Sequence, residues 1–256
     1  MAFAFLDHPL PLAFAHRGGA LEHEENTGAA FAHAVGLGYT HIETDVQATK
    51  DGVAVLFHDA DLERMTGEKG SVGDGLWREL AQVRTLGGAP LLRLDELLEA
   101  YPDLHCNLEI KTAAAIEPMA DVIRRTGALD RVCVGAFQAR WTQRLRRLLG
   151  PGLCWSPAHA GVLVTWLRGW RLPLPAPAYP ALQIPPAFRG IPLATRRFVR
   201  AAHRQGSQVH VWTVDDAAAM ASLLDAGVDG LMTDRPTLLR EVLERRGQWR
   251  GPVQAS

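Results

Sequence analysis

Short apolar runs alternate with amphipathic stretches along most of this chain. In DDAAAMASLLDAG, at 215–227, Met220, Leu223 and Leu224 share one helical face and a glycine ends the pattern. The apolar runs predict strands at 12–16, 40–46, 105–110, 131–136, 152–156, 181–184, 208–213 and 229–233. The amphipathic stretches predict helices at 26–38, 94–101, 113–126, 138–149, 159–170, 194–205, 215–226 and 236–246.

The alternation of strands and helices predicts an α/β fold, the (β/α)8 TIM barrel. Barrels of this kind commonly use about 250 residues for one domain, and the chain has 256. We therefore expect a single TIM-barrel domain over residues 1–256.

One apolar run, VAVLFHD at 53–59, follows the second strand too closely for a parallel crossover. Asp51-Gly52 predicts a two-residue hairpin turn, which would pair Asp45 with His58 on one face of the hairpin. Residues 60–93 would then form a small insertion over the barrel mouth, before the second helix.

Inward-facing carboxylates are the clearest chemical signal. Strand alternation directs Glu43 and Asp45 of THIETDV, and Glu109 of HCNLEIK, into the barrel. These carboxylates would repel one another unless a cation neutralised them, and a hard cation with oxygen ligands, Mg²⁺ or Ca²⁺, fits the set. An alternative stays open, in which salt bridges to Arg17 and Lys111 do the neutralising.

Two histidines accompany the carboxylates. His16 ends the first strand in AFAHRGG, and a lone histidine there is more often structural than catalytic. Arg17 and Gly18-Gly19 change that balance, because a planar guanidinium beside exposed backbone amides suits a phosphate. With His58 as the second proton-transfer group, the pair could act as general base and general acid on a phosphodiester.

Other polar positions have simpler interpretations. Asn26 predicts the N-cap of the first helix, with Glu25 as a neighbouring anchor. Asp234 in MTDRP reads as a strand-to-helix turn. Trp212 in HVWTVD could face a substrate alcohol, although core packing is the commoner role of a single tryptophan.

Composition limits the classes of partner. The chain is 47% hydrophobic and 21% charged with a formal net charge of −1, so there is no overall basic excess that would indicate a nucleic-acid partner. Cys106, Cys133 and Cys154 are odd in number and fall in predicted strands, which favours buried free thiols and a reducing compartment.

The apolar N-terminal segment lacks the basic region of a signal peptide, carries Asp7 and two prolines, and runs directly into the first strand. The longest apolar run near 162 is interrupted by Arg168 and Gly169, too early for a membrane span. We expect a cytoplasmic protein, with peripheral membrane contact and the oligomeric state left open.

Seven segments occur in the order typical of one family between about residues 14 and 236. They are HRGGA, ENTGAAFAHAVGLG, IETDVQATKDGVAVLFHD, LERMTGEKGSVGD, LEIK, VHVWTVD and GVDGLMTDRP. In this joint order the chain resembles the glycerophosphodiester phosphodiesterase family. The resemblance implies a TIM barrel with a small insertion, a divalent cation, and hydrolysis of substrates such as glycerophosphocholine or glycerophosphoethanolamine to sn-glycerol 3-phosphate and an alcohol.

The resemblance also implies roles for particular residues. It implies an acid/base pair of His16 and His58, a phosphate contact at Arg17, metal ligands at Glu43, Asp45 and Glu109, a lysine near the phosphate at Lys111, and an aromatic contact to glycerol at Trp212. Two departures put substrate preference in doubt. Gly135-Ala136-Phe137 stands where the family often has Ser-Ser-Phe, and Gln183 has no assigned role.

Two alternative functions stay open. In the segment 162–180, a lip of Trp166, Leu167, Trp170 and Leu172 could hold an acyl chain, as in a lysophospholipase D, although core burial of that helix is the more ordinary interpretation. A catalytically silent barrel that senses phosphoglycerol compounds would be expected to lack a histidine or a ligand carboxylate. This chain has both histidines and all three carboxylates.

Overall fold

The computed structural model describes residues 3–175 and 178–251, so the ends of the predicted domain 1–256 and residues 176–177 lie outside it. Its strands are β1 (Leu12–His16), β2 (His41–Ala48), β3 (Ala54–Leu56), β4 (Leu92–Arg93), β5 (His105–Ile110), β6 (Val132–Gly135), β7 (Cys154–Trp155), β8 (Ala181–Ile184), β9 (Ala187–Phe188), β10 (Ile191–Pro192), β11 (Gln208–Val211) and β12 (Gly230–Thr233).

Its α-helices are α1 (Gly28–Gly36), α2 (Glu63–Thr66), α3 (Trp77–Leu80), α4 (Leu94–Ala100), α5 (Ile116–Arg125), α6 (Ala139–Leu149), α7 (His159–Gly169), α8 (Arg196–His203), α9 (Ala217–Ala226) and α10 (Pro236–Arg245). Short 3-10 helices lie at Ala4–Leu6, Ala113–Ala115 and Leu129–Arg131. Within the described ranges, no helix has the length and apolarity needed to cross a bilayer.

The central sheet is the predicted barrel. Eight strands run parallel in the order β7-β6-β5-β2-β1-β12-β11-β8, and each predicted strand corresponds to one of them. The hydrogen-bonded ladder ends at β7 on one side and at β8 on the other. Across that seam the main-chain N–H of Gln183 donates to Oγ of Ser156, at 3.1 Å. The TIM-barrel prediction is confirmed, with one open seam.

Apolar side chains close the amino end of the barrel. Phe5, from the first 3-10 helix, and Phe14, from β1, are fully buried with ring centroids 6.3 Å apart. Burying a side chain of this kind contributes about 2–3 kcal/mol. Cys106, Cys133 and Cys154 are buried free thiols, as predicted. With the amino end filled, a cavity can open only at the carboxyl ends of the strands.

Helix caps follow local sequence rules, with one correction. Asp216 caps α9 by accepting the N–H of Ala219 at 2.8 Å, and Gly227 ends that helix in the left-handed region. The predicted cap of α1 at Asn26 is wrong. The next residue, Thr27, is the N-cap and its Oγ1 accepts the N–H of the third residue along, which leaves the amide of Asn26 free for other contacts.

The hairpin forms, but in a different register from the predicted one. Ala48 pairs with Ala54, and the carbonyl of Asp45 accepts the N–H of Phe57 at 3.0 Å, so the predicted pairing of Asp45 with His58 is wrong. The turn is longer than two residues because Thr49 closes it, with Oγ1 accepting the N–H of Val53 at 2.9 Å. His58 consequently lies beyond the end of β3.

Between β3 and α4 the chain forms the small insertion that the sequence predicts over 60–93. It contains α2, α3 and β4, and β4 pairs antiparallel with β3. The insertion has its own cluster of buried apolar side chains, Val55, Phe57, Leu62, Val72, Leu80 and Leu91. This packing positions the segment that carries His58.

Candidate active site

Strand register alone brings the predicted acidic residues and one histidine together. His16 of β1 is the partner of Glu43 in β2, and Asp45 of β2 is the partner of Glu109 in β5. Oxygens of the three carboxylates lie within 4.8 Å of one another. They face the carboxyl ends of the strands, where the active sites of this fold lie.

Burial makes this cluster electrostatically unusual. Glu43 is 4% exposed and Asp45 is 1% exposed. Burial, together with repulsion from Asp45 and Glu109, raises the pKa of Glu43 to about 8 despite attraction by His16. Burial opposes ionisation of Asp45 too, but attraction by Lys111 and then by other cations lowers the pKa of that carboxyl.

The donor set fits a hard divalent cation. Lys111 Nζ lies 3.0 Å from Glu109 Oε1 and 3.3 Å from Asp45 Oδ1, so the salt bridges of the alternative interpretation also form. They do not satisfy the cluster, because Asp45 Oδ1 is buried and has no hydrogen-bond partner among the described residues. A buried carboxylate oxygen that has an ion pair at 3.3 Å but no hydrogen bond, beside two further carboxylates, is a suitable ligand for Mg²⁺ or Ca²⁺.

His16 is held between two carboxylates. Its Nδ1 donates to Asp234 Oδ1 at 2.6 Å, and its Nε2 lies 3.6 Å from Glu43 Oε2. Burial would lower the pKa of this imidazole, but attraction by Glu43 and the hydrogen bond to Asp234 raise it to about 9. Asp234 is itself positioned, because its main-chain N–H donates to Asp215 Oδ1 at 2.7 Å.

His58 has a similar arrangement. Its Nδ1 donates to Asp59 Oδ1 at 2.7 Å, and Arg64 binds the other oxygen of that carboxylate. The hydrogen bond from Arg64, aided by His58, lowers the pKa of Asp59 to about 2. In both histidines a carboxylate occupies Nδ1, which directs the neutral tautomer to place its lone pair on Nε2. Both side chains line one cavity.

Arg17 lies where the sequence places it, but its glycine neighbours have another role. The guanidinium contacts Glu25 and Asp45, each at 3.2 Å, and lines the cavity. The N–H groups of Gly18 and Gly19 donate within the turn, to the carbonyls of Ala15 and His16, so the prediction of exposed amides is wrong. At Gly18 a Cβ would lie 2.7 Å from that of Ala30, which explains the glycine.

The cavity above the carboxylates has a volume of about 850 Å³. One side carries the charged groups, and the other is apolar. We call four residues of that side the apolar rim, because they line the cavity and are also half-exposed: Phe137 (52%), Leu163 (54%), Phe188 (45%) and Ile191 (51%). Trp212 lies between these sides, partly packed on the core and edge-on to Phe137, with centroids 6.1 Å apart.

The predicted lip is only partly correct. Trp166 lines the cavity, whereas Leu167, Trp170 and Leu172 lie outside its lining. Trp170 packs under the guanidinium of Arg197 instead, 3.7 Å from centroid to Cζ. The helix is only partly buried in the core, since its buried residues are Gly161 and Thr165 and its Val162 and Trp166 pack on the core while partly exposed. Neither Gly161 nor Thr165 is among the four residues of the predicted lip.

The two sequence departures are coupled in space. Gln183 Nε2 donates to Asn107 Oδ1 at 2.8 Å, across the cavity floor. A Cβ at Gly135 would lie 3.3 Å from Gln183 Oε1, tighter than ordinary van der Waals contact. A serine at position 135 would therefore require the side-chain end of Gln183 to shift by a few tenths of an ångström.

Sequence reasoning missed three supporting residues. Asp234 was interpreted as a turn, although it follows β12 at the end of the barrel where site residues gather. Asp59 adjoins His58 directly in sequence, a signal that could have found it. Asn26 donates to Asp45 Oδ2 at 3.0 Å and accepts from Thr44 at 2.6 Å, a contact that local sequence does not indicate.

Comparison with known proteins agrees with this geometry. The glycerophosphoryl diester phosphodiesterase family profile matches residues 16–238. The chain is 42% identical to the probable glycerophosphodiester phosphodiesterase 2 of Mycobacterium tuberculosis over 256 residues, covering 96% of each chain. It is 27% identical to the lysophospholipase D GDPD1 of Rattus norvegicus, covering 89% of this chain and 84% of that one.

A solved structure shows the same fold. The Oleispira antarctica phosphodiesterase in complex with the product sn-glycerol-3-phosphate superposes with a TM-score of 0.76, at 22% identity, covering 92% of this chain and 97% of that one. The family profile spans most of the chain and the first relative is similar along nearly its whole length. The chain therefore belongs to the glycerophosphoryl diester phosphodiesterase family of hydrolases.

Proposed function

We propose that this chain hydrolyses glycerophosphodiesters, such as glycerophosphocholine or glycerophosphoethanolamine, to sn-glycerol 3-phosphate and an alcohol. The observation that carries the proposal is the pair of cavity histidines, each with Nδ1 bonded to a carboxylate. This leaves Nε2 of His16 and of His58 for proton exchange. Cleavage of a phosphodiester needs two such exchanges, one at the nucleophile and one at the leaving group.

Positive charge in the cavity supports binding of the phosphate. Arg17 and Lys111 line the cavity together with Glu43 and Glu109, and each of the two cations also contacts Asp45. In our proposal these three carboxylates hold Mg²⁺ or Ca²⁺, which when bound would supply the charge that stabilises the phosphoryl oxygens in the transition state. Arg17 orients the phosphate, and Trp212 packs beside the glycerol or alcohol.

The proposed reaction exchanges one phosphorus–oxygen bond for another. The oxygen of the nucleophile, a water molecule or the glycerol 2-hydroxyl, forms a bond to phosphorus while the bond to the leaving alcohol oxygen breaks. One histidine accepts the proton of the nucleophile, and the other donates a proton to the alcohol. If the 2-hydroxyl attacks, a cyclic phosphate forms first, and water opens it with the two histidines in exchanged roles.

The acid/base assignment is tested by His16→Ala and His58→Ala. Each variant should unfold at a temperature close to that of the wild type and lose about 10²- to 10⁴-fold in kcat. His33→Ala is the matched control, because His33 on α1 has its Nε2 2.8 Å from Glu22, a histidine–carboxylate pair outside the cavity lining. Near-normal turnover in either cavity variant would contradict the assignment.

Cation dependence and substrate choice need a second experiment. The protein is treated with EDTA and assayed on a panel of glycerophosphodiesters, first alone and then with Mg²⁺ or Ca²⁺ restored. We expect activity to disappear and to return with at least one cation. Unchanged activity in EDTA, with the metal content confirmed as zero, would show that the carboxylate cluster has another role.

A second candidate is lysophospholipase D activity, which the apolar side of the cavity favours. Leu163, Phe188 and Ile191 could contact an acyl chain while the phosphate binds at Arg17. Choline release from lysophosphatidylcholine and from glycerophosphocholine separates the two candidates. If this candidate is correct, Leu163→Ser should lower choline release from lysophosphatidylcholine but not from glycerophosphocholine. Leu86→Ser, at another exposed leucine, is the control. Failure of the wild type on the lysolipid excludes this candidate.

A further inference from the structure

Charge is divided unevenly along this chain. Residues 131–214 contain twelve arginines and neither Asp nor Glu, although the whole chain has 27 basic and 28 acidic residues. This segment runs from β6 to the end of β11 and includes α6, α7, α8 and the β9–β10 hairpin. One half of the barrel is therefore strongly basic, and the remainder is correspondingly acidic.

Most of this positive charge is available to a partner. The exposed arginines of the segment are Arg140, Arg144, Arg147, Arg171, Arg189, Arg196, Arg197, Arg200 and Arg204. Among the described residues, the single ion pair made by the segment's arginines is that of Arg144 with Glu117, at 2.6 Å. The basic half is not neutralised internally, so its field extends into solvent.

The apolar rim belongs to the same segment. Phe137, His159 and Phe188 form a continuous ridge, with ring centroids 5.6 and 5.9 Å apart. Leu163 and Ile191 extend this apolar surface, and each is about half exposed. Large apolar side chains grouped at the mouth of a cavity mark an interaction surface more often than scattered ones do.

The β9–β10 hairpin gives this surface a projecting tip. Phe188 and Ile191 pair across an antiparallel two-stranded sheet that is separate from the barrel, and residues 186–192 are all exposed. Arg189 and Gly190 form the turn with positive φ values of 49° and 79°. The tip therefore presents two apolar side chains on either side of an arginine.

Two arginines lie within a few residues of the apolar rim in the sequence. Arg140 follows Phe137 by three residues and Arg196 follows Ile191 by five, so each lies within about 18 Å of its rim residue. An apolar centre flanked by Arg140, Arg189 and Arg196 is complementary to an anionic lipid surface, since the apolar side chains enter the boundary region while the arginines contact the headgroups.

We propose that the cavity mouth docks on bilayers that contain anionic lipid, with the apolar rim inserted and Arg140, Arg189 and Arg196 facing the headgroups. A single-stranded nucleic acid would satisfy the arginines but would leave the aliphatic side chains Leu163 and Ile191 without apolar contact. An anionic lipid surface would contact both the arginines and the aliphatic side chains. This docking is independent of the proposed hydrolysis, because it concerns binding to lipid and not turnover.

The test is co-sedimentation of the full chain with vesicles of phosphatidylcholine, alone or mixed with phosphatidylglycerol. We expect binding to the mixed vesicles, much weaker binding to the neutral ones, and loss of binding as salt increases. Equal binding to both kinds of vesicle, or binding to neither, would overturn the proposal. So would tighter binding to single-stranded RNA than to the mixed vesicles, which would identify a nucleic-acid surface.

Substitutions in the apolar rim and at neighbouring arginines test whether the cavity mouth is the lipid-binding surface. Phe188→Ser and Ile191→Ser should each lower vesicle affinity about tenfold, whereas Leu21→Ser, at an exposed leucine in the acidic remainder, should not change it. Arg189→Gln and Arg196→Gln should each lower affinity about fivefold, and Arg78→Gln is the matched control. Circular dichroism checks folding of each variant. Unchanged affinity in all four test variants would show that the mouth is not the docking surface.

Discussion

The two ends of the barrel place histidines in opposite environments. At the carboxyl end His16 lies between Glu43 and Asp234, and its pKa is raised to about 9 although burial opposes the charge. At the amino end burial dominates, and it lowers the pKa of His105 to about 4 and of His210 to about 3. One residue type, facing inward on strands of one sheet, is therefore charged at one end and neutral at the other.

The histidines at the two ends differ in their hydrogen-bond partners. At the amino end, His105 Nε2 lies 3.0 Å from His8 Nε2, His41 Nε2 lies 3.3 Å from the Phe5 carbonyl, and His210 Nε2 lies 3.0 Å from Gln208 Oε1. These partners are neutral and cannot offset desolvation of a charged imidazole. Among the histidines that face into the barrel, carboxylate contacts, and not depth of burial, therefore separate His16, the proposed proton-transfer group, from the histidines that pack at the amino end.

The largest effect should appear as loss of stability in acid. His210 has a folded pKa of about 3 and an ordinary value of 6.5, so the unfolded chain takes up a proton that the folded chain does not. Its contribution is present above pH 6.5 and falls with decreasing pH, and the loss approaches about 5 kcal/mol once the pH is below the folded value of about 3. Urea unfolding at several pH values measures this.

His210→Gln should flatten that pH dependence, whatever it costs in packing at neutral pH. The exposed His159→Gln serves as control and should leave the slope unchanged. A slope in the His210 variant equal to that of the wild type would show that this histidine is not held neutral, and the comparison between the two ends would fail.

Next in size is the effect of removing a carboxylate from the catalytic end. Asp234→Asn should lower kcat about 10³-fold, roughly 4 kcal/mol, with a smaller change in KM, because His16 loses the group that orients its ring. NMR titration of the cation-free variant should show the His16 pKa below its wild-type value of about 9. Asp216→Asn, which affects only a helix cap, is the control. Retained kcat would assign Asp234 a structural role.

A smaller effect is expected at Glu43, because burial raises the pKa of this carboxyl and so favours its protonated form before a cation binds. Glu43→Gln imitates that neutral form, so the free energy of unfolding should change by less than about 1 kcal/mol. Cation affinity should fall about 100-fold, roughly 3 kcal/mol, and calorimetry should show that proton release on binding is lost. Exposed Glu241→Gln is the control, and unaltered affinity would remove Glu43 from the ligand set.

The smallest effect concerns the hairpin that leads to His58. Thr49→Val removes the hydroxyl that accepts the N–H of Val53 and donates to Asp51, which should cost about 1 kcal/mol of stability. Thermal unfolding measures the change, and Thr126→Val, at the C-cap of α5 where the hydroxyl only donates to a carbonyl of its own helix, is the matched control. If stability is unchanged, the loop does not depend on this hydroxyl.

Much of the architecture could be predicted from the sequence, because strand alternation and helix periodicity are local. Alternation was enough to direct Glu43, Asp45 and Glu109 to one site. The hairpin register could not be obtained in this way, since Asp51-Gly52 is typical of a two-residue turn and the hydroxyl of Thr49 closes a longer one.

The remaining gaps concern contacts between distant segments. His16 and Asp234 are 218 positions apart, and only the parallel pairing of β1 with β12 brings them together. The histidines of the amino end, His8, His41 and His105, are likewise scattered along the chain and converge through strand order. The residue type at such a position can be read from the sequence. Which side chain it contacts depends on the order of the strands in the folded sheet.

The open seam between β7 and β8 has a consequence for association of the folded chain. A closed barrel has no free strand edges, whereas here two edges could in principle pair with another molecule and begin aggregation. Both are protected by their composition. β7 has only two residues and is followed closely by Pro157, and β8 is followed directly by Pro185 and Pro186, which have no N–H to donate. The barrel thus tolerates a gap in its ladder without offering a template for fibril growth.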